Sequence, residues 1–357
     1  MKIDSITVLH LDIPITEAYE LSFGTVESFQ TFLVLVRSGE RLGIGETTPL
    51  YGYNWEDSQS VQQYLMESAP GLIGCDPGEA VKSIMESRGN NYFAATSLCT
   101  ALEFLDVDLF QNISGTVVPL VGIVSGSDME SILRSIKKQK SQGFRCVKVK
   151  VGGSHDVEKD LLKIKSISSR FPELPLRIDA NKGYSLEEAL YFVDGIQEYN
   201  VEEFEQPFPV DAWDDMEVLY GNRGRINMML DESIDTREEL AEAINRGCCN
   251  YVKFKLMKHS SVKYMLDLIE IAKAAKLKII IGNGVASDIG CYHEMLIQAG
   301  TGSVLAGEMN GFLKQKQSIL AVPLEFRNGC VRIKGAGGTQ VNRSVVDQYL
   351  VKKETFS

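Results

Sequence analysis

Val147-Lys148-Val149-Lys150-Val151-Gly152-Gly153 sets two lysines on alternate positions of an apolar run. Residues two apart on a strand share a face, so both ammonium groups point the same way. Four more apolar runs follow, each with a charge at its end: Asp179 in LRIDANKG (176–183), Glu205 in EEFEQPF (202–208), Asp231 in MMLDES (228–233) and Lys255 in YVKFKLMK (251–258). Counted from Lys150, the intervals are 29, 26, 26 and 24 residues. A parallel strand, a helix and two short loops take about 25 residues. Five successive parallel strands that each end in a charge are hard to explain by packing; a catalytic rim on a barrel explains them.

Outward from that series, eight apolar runs from VVPLVGIVS (117–125) to SVLAGEMNG (303–311) alternate with amphipathic stretches such as SLEEALYFVDGIQEY (185–199). Strands buried on both faces read as near-continuous apolar runs, as these do. The pattern predicts an α/β fold, a modified TIM-type (β/α)7β barrel over residues 117–319. A doubly wound open sheet is the alternative, but no GxGxxG follows the first strand. SITVLHLDIPI (5–15), FQTFLVLVRSG (29–39) and RLGIGETTP (41–49) read as an antiparallel meander. From Glu56 to about Gln111 apolar spacings of three and four are helical. Residues 1–116 are therefore expected to form an α+β capping domain. The tail, 320–357, contains the hairpin-like LEFRNGCVRIKGAGGTQVN (324–342) and is expected to pack back on that domain.

The chain is 44% apolar and 24% charged, an ordinary globular composition, and its net charge of −11 argues against nucleic acid or anionic membrane as the main partner. RSIKKQK (134–140) reads as the solvated face of a helix. The N-terminus lacks a signal peptide's apolar core, and no run reaches the roughly 18 apolar residues of a membrane span. Seven cysteines lack metal-ligand spacing and read as reduced thiols of a cytoplasmic protein. Histidines 10, 155, 259 and 293 form no HExxH, which argues against a zinc hydrolase. A small-molecule carboxylate is the expected partner, and a homo-oligomer the expected state.

Side by side, the ammonium groups of Lys148 and Lys150 are expected to repel, lowering the pKa of at least one and making a competent general base. Asp179, Glu205 and Asp231 are expensive as a cluster of anions unless a hard cation joins them. All-oxygen ligation points to one Mg²⁺, for which Mn²⁺ can substitute. Glu203, one pleat deeper than Glu205, ranks second as a ligand. Lys253 and Lys255 share a face; spacing favours Lys255, nearly across the barrel from Lys150, as the opposed base. Lys258 falls past the strand end and is expected to be solvated. Lys148, Asn181, Asn283 in GNGV (282–285) and Glu308 are expected to touch substrate. GAGG (335–338) reads as a turn and His259 as a structural or solvated loop histidine. Segments near 21–25 and 50–55 are expected to close over the barrel mouth, with Trp55 and Tyr51 or Tyr53 as an aromatic wall.

On these motifs the chain resembles the enolase superfamily, in its muconate-lactonising subgroup, over essentially its whole length. Barrels of that family carry a Lys-x-Lys on the second strand, matched by VKVKVGG, with Lys150 in the place of the base. They carry Asp, Glu and Asp as magnesium ligands, matched by Asp179, Glu205 and Asp231, and a sixth-strand lysine, matched by Lys255. LVRSGERLGIGETTP (35–49) and GAGG resemble capping-domain segments. Two departures stand out. His259-Ser260-Ser261 replaces the subgroup's usual glycine pair, and AGEMNG replaces the Asp-x-Asp of its dipeptide epimerases, with Glu308 closer to the cycloisomerase branch. The resemblance implies Mg²⁺-dependent enolisation of a carboxylate substrate by α-proton abstraction. The leading form is a racemase or epimerase of an amino-acid derivative or similar acid that uses two opposed lysines. A muconate-type cycloisomerase or an acid dehydratase would need one of the lysines only, and a non-catalytic small-acid-binding barrel neither.

Overall fold

A computed structural model of the chain describes residues 1–21, 24–50, 52, 55–153, 156–335 and 339–357, without the side chains of 19–21 and 24. Tyr51, Tyr53, His155 and residues 336–338 of GAGG therefore lie outside the described residues.

Three antiparallel strands, β1 (Ser5–Leu21), β2 (Gly24–Ser38) and β3 (Arg41–Thr47), open the chain. Strand alternation sorts their apolar residues onto two faces. Ile6, Val8, Phe32, Val34 and Val36 pack with the helices α1 (Ser58–Leu72), α2 (Pro77–Ser87) and α3 (Tyr92–Glu103). Leu9, Leu11, Ile13 and Leu33 join the larger core that runs through the rest of the molecule.

The chain then alternates strand and helix: β4 (Val117–Pro119), β5 (Gly122–Ile123), α4 (Met129–Ser141), β6 (Val147–Lys150), α5 (Val157–Arg170), β7 (Leu176–Asp179) and α6 (Leu186–Gly195). It continues through β8 (Val201–Glu205), α7 (Trp213–Asn222), β9 (Asn227–Leu230), α8 (Arg237–Arg246), β10 (Tyr251–Lys255), α9 (Leu256–His259), α10 (Val262–Ala274), β11 (Lys278–Gly282) and α11 (Asp288–Thr301). Strands β5 to β11 pair in chain order, all parallel. Gly307-Glu308 closes the ring as an eighth stave, bridging Leu120 on one side and Gly282 on the other. A closed (β/α)7β barrel results, not an open sheet. Capping boxes at Asp128, Ser185 and Thr236 restart helices α4, α6 and α8 after their strands.

Two short strands, β12 (Phe326–Arg327) and β13 (Cys330–Arg332), precede α12 (Arg343–Tyr349) and β14 (Leu350–Phe356). Strand β14 pairs antiparallel with β1, so the tail completes the N-terminal sheet. The β12–β13 hairpin departs from expectation: it pairs with β4 at the entry to the barrel, because Val331 opposite Val118 buries itself in the barrel core there. All seven cysteines are free thiols. Among the described residues no helix is long and apolar enough to cross a membrane.

Two buried carboxylates of the capping domain bind the starts of barrel helices, whose first amides have no partner within the helix. Glu46, at the end of β3, accepts from Ser287 N (2.7 Å) and Gly290 N (2.5 Å) at the start of α11. Glu103, at the end of α3, accepts from Ser261 Oγ (2.6 Å), Val262 N (2.7 Å) and Lys263 N (3.1 Å) at the start of α10. Beside them, His293 of α11 stacks on Phe104 with ring centroids 4.3 Å apart.

Burial pushes the His293 imidazole down to about 3. The folded protein thus refuses a proton that the unfolded chain accepts below pH 6.5, so stability is full above that pH and falls as pH drops toward 3. The cost at pH 5 is about 2 kcal/mol. His293→Leu is expected to remove that share of the difference in unfolding free energy between pH 7 and pH 5, measured in urea. An unchanged difference would show that His293 is protonated in the fold.

Candidate active site

The parallel register sets Lys150 opposite Asp179, and Asp179 opposite Glu205, at the C-terminal ends of β6, β7 and β8. Asp231 follows directly on β9, and Lys255 ends β10 opposite Gly282. All five strand-end charges therefore reach one rim. Lys148, one pleat below, puts its Nζ 2.8 Å from Asp179 Oδ2, 2.9 Å from Glu205 Oε2 and 2.9 Å from Glu308 Oε2. Lys255 Nζ lies 2.6 Å from Asp231 Oδ2. Lys150 is exposed at the mouth and donates to Asn181 Oδ1 (2.8 Å), whose Nδ2 donates to Glu232 Oε1 (3.2 Å).

Burial works against every charge here, and the neighbours decide which survive. The carboxylates of Asp179, Glu205, Glu308 and Asp231 overcome burial at Lys148 and hold it well above the usual lysine range. Of the two lysines expected to repel, Lys148 is therefore not the one lowered. Three carboxylates within 3 Å of Lys148 outweigh one ammonium along the strand. Lys255, Lys253 and Lys258 hold Asp231 well below the carboxylate range against burial, whereas burial and the Asp179 charge push Glu205 well above it.

The family model described as Enolase C-terminal domain-like matches residues 131–342. The chain belongs to the enolase superfamily. Its similarity to relatives in the mandelate racemase and muconate-lactonising group runs the length of the molecule. It is 23% identical to o-succinylbenzoate synthase of Bacillus subtilis, over 100% of this chain and 99% of that one. Its fold matches that of the N-succinyl Arg/Lys racemase of Bacillus cereus, with TM-score 0.91, 21% identity and both chains covered completely. It also matches the dipeptide epimerase of Cytophaga hutchinsonii, solved with Mg and D-Ala-L-Val, with TM-score 0.91, 20% identity and complete coverage of both. The protein is an enzyme of this superfamily.

The superfamily implies a divalent metal. Among the described residues no three acidic, thiol or imidazole groups already converge as ligands, and lysine ammonium groups pair with the carboxylates instead. Yet Glu205 Oε2 and Asp231 Oδ1 are buried without an aligned hydrogen-bond donor. Three buried carboxylates on adjacent staves, two of them with an oxygen that accepts no aligned hydrogen bond, fit a hard divalent cation. Glu203 sits a layer lower, 4.0 Å from Arg177 Nε; burial pushes its carboxyl up to about 8, and both oxygens lack hydrogen-bond partners.

Elsewhere the structure places the expected residues less simply. Lys258 is buried, not solvated: α9 turns the chain inward directly after β10, and its ammonium donates to the Asp231 carbonyl and lies 2.8 Å from Asp235 Oδ1. Asn283 Nδ2 donates to Glu294 Oε2 (2.8 Å) on α11. Trp55 is half exposed and donates to the Asn90 carbonyl (2.9 Å). His259 is fully buried, with Nδ1 against the Asp235 carbonyl, and burial pushes it down to about 3. Ser260 takes the left-handed backbone (φ 64°) that glycine adopts without strain, and its hydroxyl bonds the Tyr92 carbonyl (3.0 Å). A cleft of about 360 Å³ opens between Thr25 and Phe29 of β2, Thr48, Leu50 and Val285, where the capping domain meets the barrel rim.

Two contributors, Lys314 and Gln206, carry no signal in the sequence, and a third, Lys253, ranks there behind Lys255. Lys253 Nζ lies 2.5 Å from Glu205 Oε1 and 2.7 Å from Glu308 Oε2. Lys314, after the eighth stave, is pushed down to about 8 by burial despite the Glu308 charge. Gln206 carries no periodic or charge signal. It adopts φ 39°, donates to Ser233 Oγ and the Phe208 carbonyl, and accepts from Asp231 N (3.0 Å) and Ser233 N (3.2 Å). Gln206→Leu would strip four buried groups of their partner. It is expected to cost ~2 kcal/mol in unfolding and to weaken Mg²⁺ binding in calorimetry. Lost stability with unchanged Mg²⁺ affinity would limit Gln206 to supporting the loop.

Proposed function

We propose that the protein is a Mg²⁺-dependent racemase or epimerase that inverts the α-carbon of an amino-acid derivative, with Lys150 and Lys255 as its two bases. What supports the reading is their placement on the ring. Between β6 and β10 lie three staves on either side: β7, β8 and β9 one way, and β11, Gly307-Glu308 and β5 the other. The two lysines are therefore diametrically opposed across the carboxylate cluster. A one-base elimination or lactonisation has no need of that symmetry.

Asp179, Glu205 and Asp231 would hold the Mg²⁺, which supplies positive charge where the substrate carboxylate gains electron density on enolisation. Lys148, kept charged by its carboxylate neighbours, donates to a substrate carboxylate oxygen and stabilises the same developing charge. Lys150, oriented by Asn181, removes the α-proton from one face. Lys255, held by Asp231, returns a proton to the opposite face, giving inversion. Glu308 and Asn181 flank the reacting carbon, and the cleft under the capping domain takes the rest of the substrate. Trp55→Ala is expected to change substrate preference more than metal affinity; if it changes neither, the cap does not select substrate through Trp55.

The test is solvent deuterium exchange at the α-carbon with separate enantiomers of N-acylated amino acids. Lys150→Ala is expected to slow exchange of one enantiomer by about 100-fold or more, and Lys255→Ala that of the other. Exchange of both enantiomers surviving in Lys255→Ala would overturn the two-base reading in favour of a one-base reaction.

A further inference from the structure

Inside the barrel, Lys148, Glu205, Lys253 and Glu308 form a closed ring of alternating charge. Its four sides measure 2.9 Å (Lys148 to Glu205), 2.5 Å (Glu205 to Lys253), 2.7 Å (Lys253 to Glu308) and 2.9 Å (Glu308 to Lys148). Two ammonium groups thus alternate with two carboxyl groups. Lys253 is almost completely buried, and among the described residues its ammonium pairs with acidic groups, with Asp231 Oδ2 further off at 3.7 Å. A buried ammonium is expensive, and an apolar side chain of similar length would fill the same space without that cost. Its charge therefore has a consequence, and that consequence falls on Glu308. Glu308 is the only one of the four whose side chain is appreciably exposed, at 19%, so it is the ring's face toward the mouth. Its Oε2 already accepts from both lysines. Lys314 adds a further positive charge that Glu308 and Lys150 both feel.

We propose that Lys253, by neutralising Glu308, sets the substrate class: the site takes acids whose amino nitrogen is acylated and uncharged, and rejects those carrying a free ammonium. This deepens the enolisation reading and rests on it for where the substrate sits. An ammonium entering near Glu308 meets a carboxylate already engaged by two cations, with Lys314 and Lys150 beyond, so repulsion is uncompensated. An amide nitrogen meets no such penalty. The same ring predicts a second effect. Lys253 engages Glu205 Oε1, so removing its charge leaves Glu205 a stronger ligand for a divalent cation.

Both effects are measurable without turnover, on the whole chain. Mg²⁺ is titrated calorimetrically into wild type, Lys253→Met and the double variant Lys253→Met/Glu308→Gln. L-alanyl-L-leucine and its N-acetyl derivative, which differ only in the ammonium, are then titrated into each Mg²⁺-loaded protein. Wild type is expected to bind the acetylated form about tenfold more tightly or better. Lys253→Met is expected to bind Mg²⁺ more tightly and to shift the ligand ratio toward the free dipeptide by about tenfold. The double variant, with no carboxylate left to attract an ammonium, is expected to revert toward the wild-type ratio; it also removes both charges together should Lys253→Met alone fold poorly. Equal binding of the two ligands by wild type, binding of neither, or a ratio unchanged in Lys253→Met would each overturn the proposal. Absence of α-proton exchange with every acid, with the calorimetric ratio intact, would count against the enolisation reading alone.

Discussion

Lys148, Lys253, Lys255 and Lys258 share the inside of one barrel mouth with Asp179, Glu205, Asp231 and Glu308, and none of these charges could stay there alone. An isolated ion so buried would cost several kcal/mol and would give up its charge instead. Mutual pairing is what permits the cluster, and the barrel is what permits the pairing. Parallel strands in register deliver a side chain every second residue to the same level, so charges far apart in the chain meet within 3 Å. Glu205 is the exception that defines the site. Pushed up by burial and by Asp179 although Lys148 and Lys253 both contact it, it is the carboxyl group that a divalent cation beside it would favour most.

The capping domain is tied to this rim by the same economy of charge. Glu46 and Glu103 are buried carboxylates whose partners are not lysines but the unpaired amides at the starts of α11 and α10, the helices that flank β11. The cap is thereby fixed to the side of the barrel that carries Lys255. His259-Ser260-Ser261 belongs to the same junction: both serine hydroxyls reach α3, to the Tyr92 carbonyl and to Glu103. The two serines thus add bonds between α3 and the barrel, while Ser260 adopts the positive φ that the turn requires.

Much of this was legible in the chain. Regular spacing with a charge at the end of each apolar run placed the barrel, its rim and the five residues on it, because strand period and crossover length are local properties. Contacts between distant segments were not legible. Strand spacing cannot say which of Lys148 and Lys150 is lowered, because carboxylates on three other staves hold Lys148 up. Lys258 reads as solvated because it falls past the strand end, and α9, with four residues, is too short to show the helical period that turns it inward. The β12–β13 hairpin was recognisable as a hairpin, but nothing in it announces β4 as its partner. Gln206 is the most instructive omission: an uncharged residue in the left-handed region, it sets the backbone of Asp231 through its amide alone.

Opposed lysines around a cation-dependent carboxylate cluster are the centre of the account. They are tested most directly by incubating the wild-type protein in deuterated buffer with each enantiomer of an N-acylated amino acid, with Mg²⁺ or with a chelator, and reading the α-carbon by mass. The account predicts deuterium entering both enantiomers, with formation of the mirror image, only when the divalent cation is present. Exchange confined to one enantiomer without inversion, or exchange undiminished by the chelator, would contradict it.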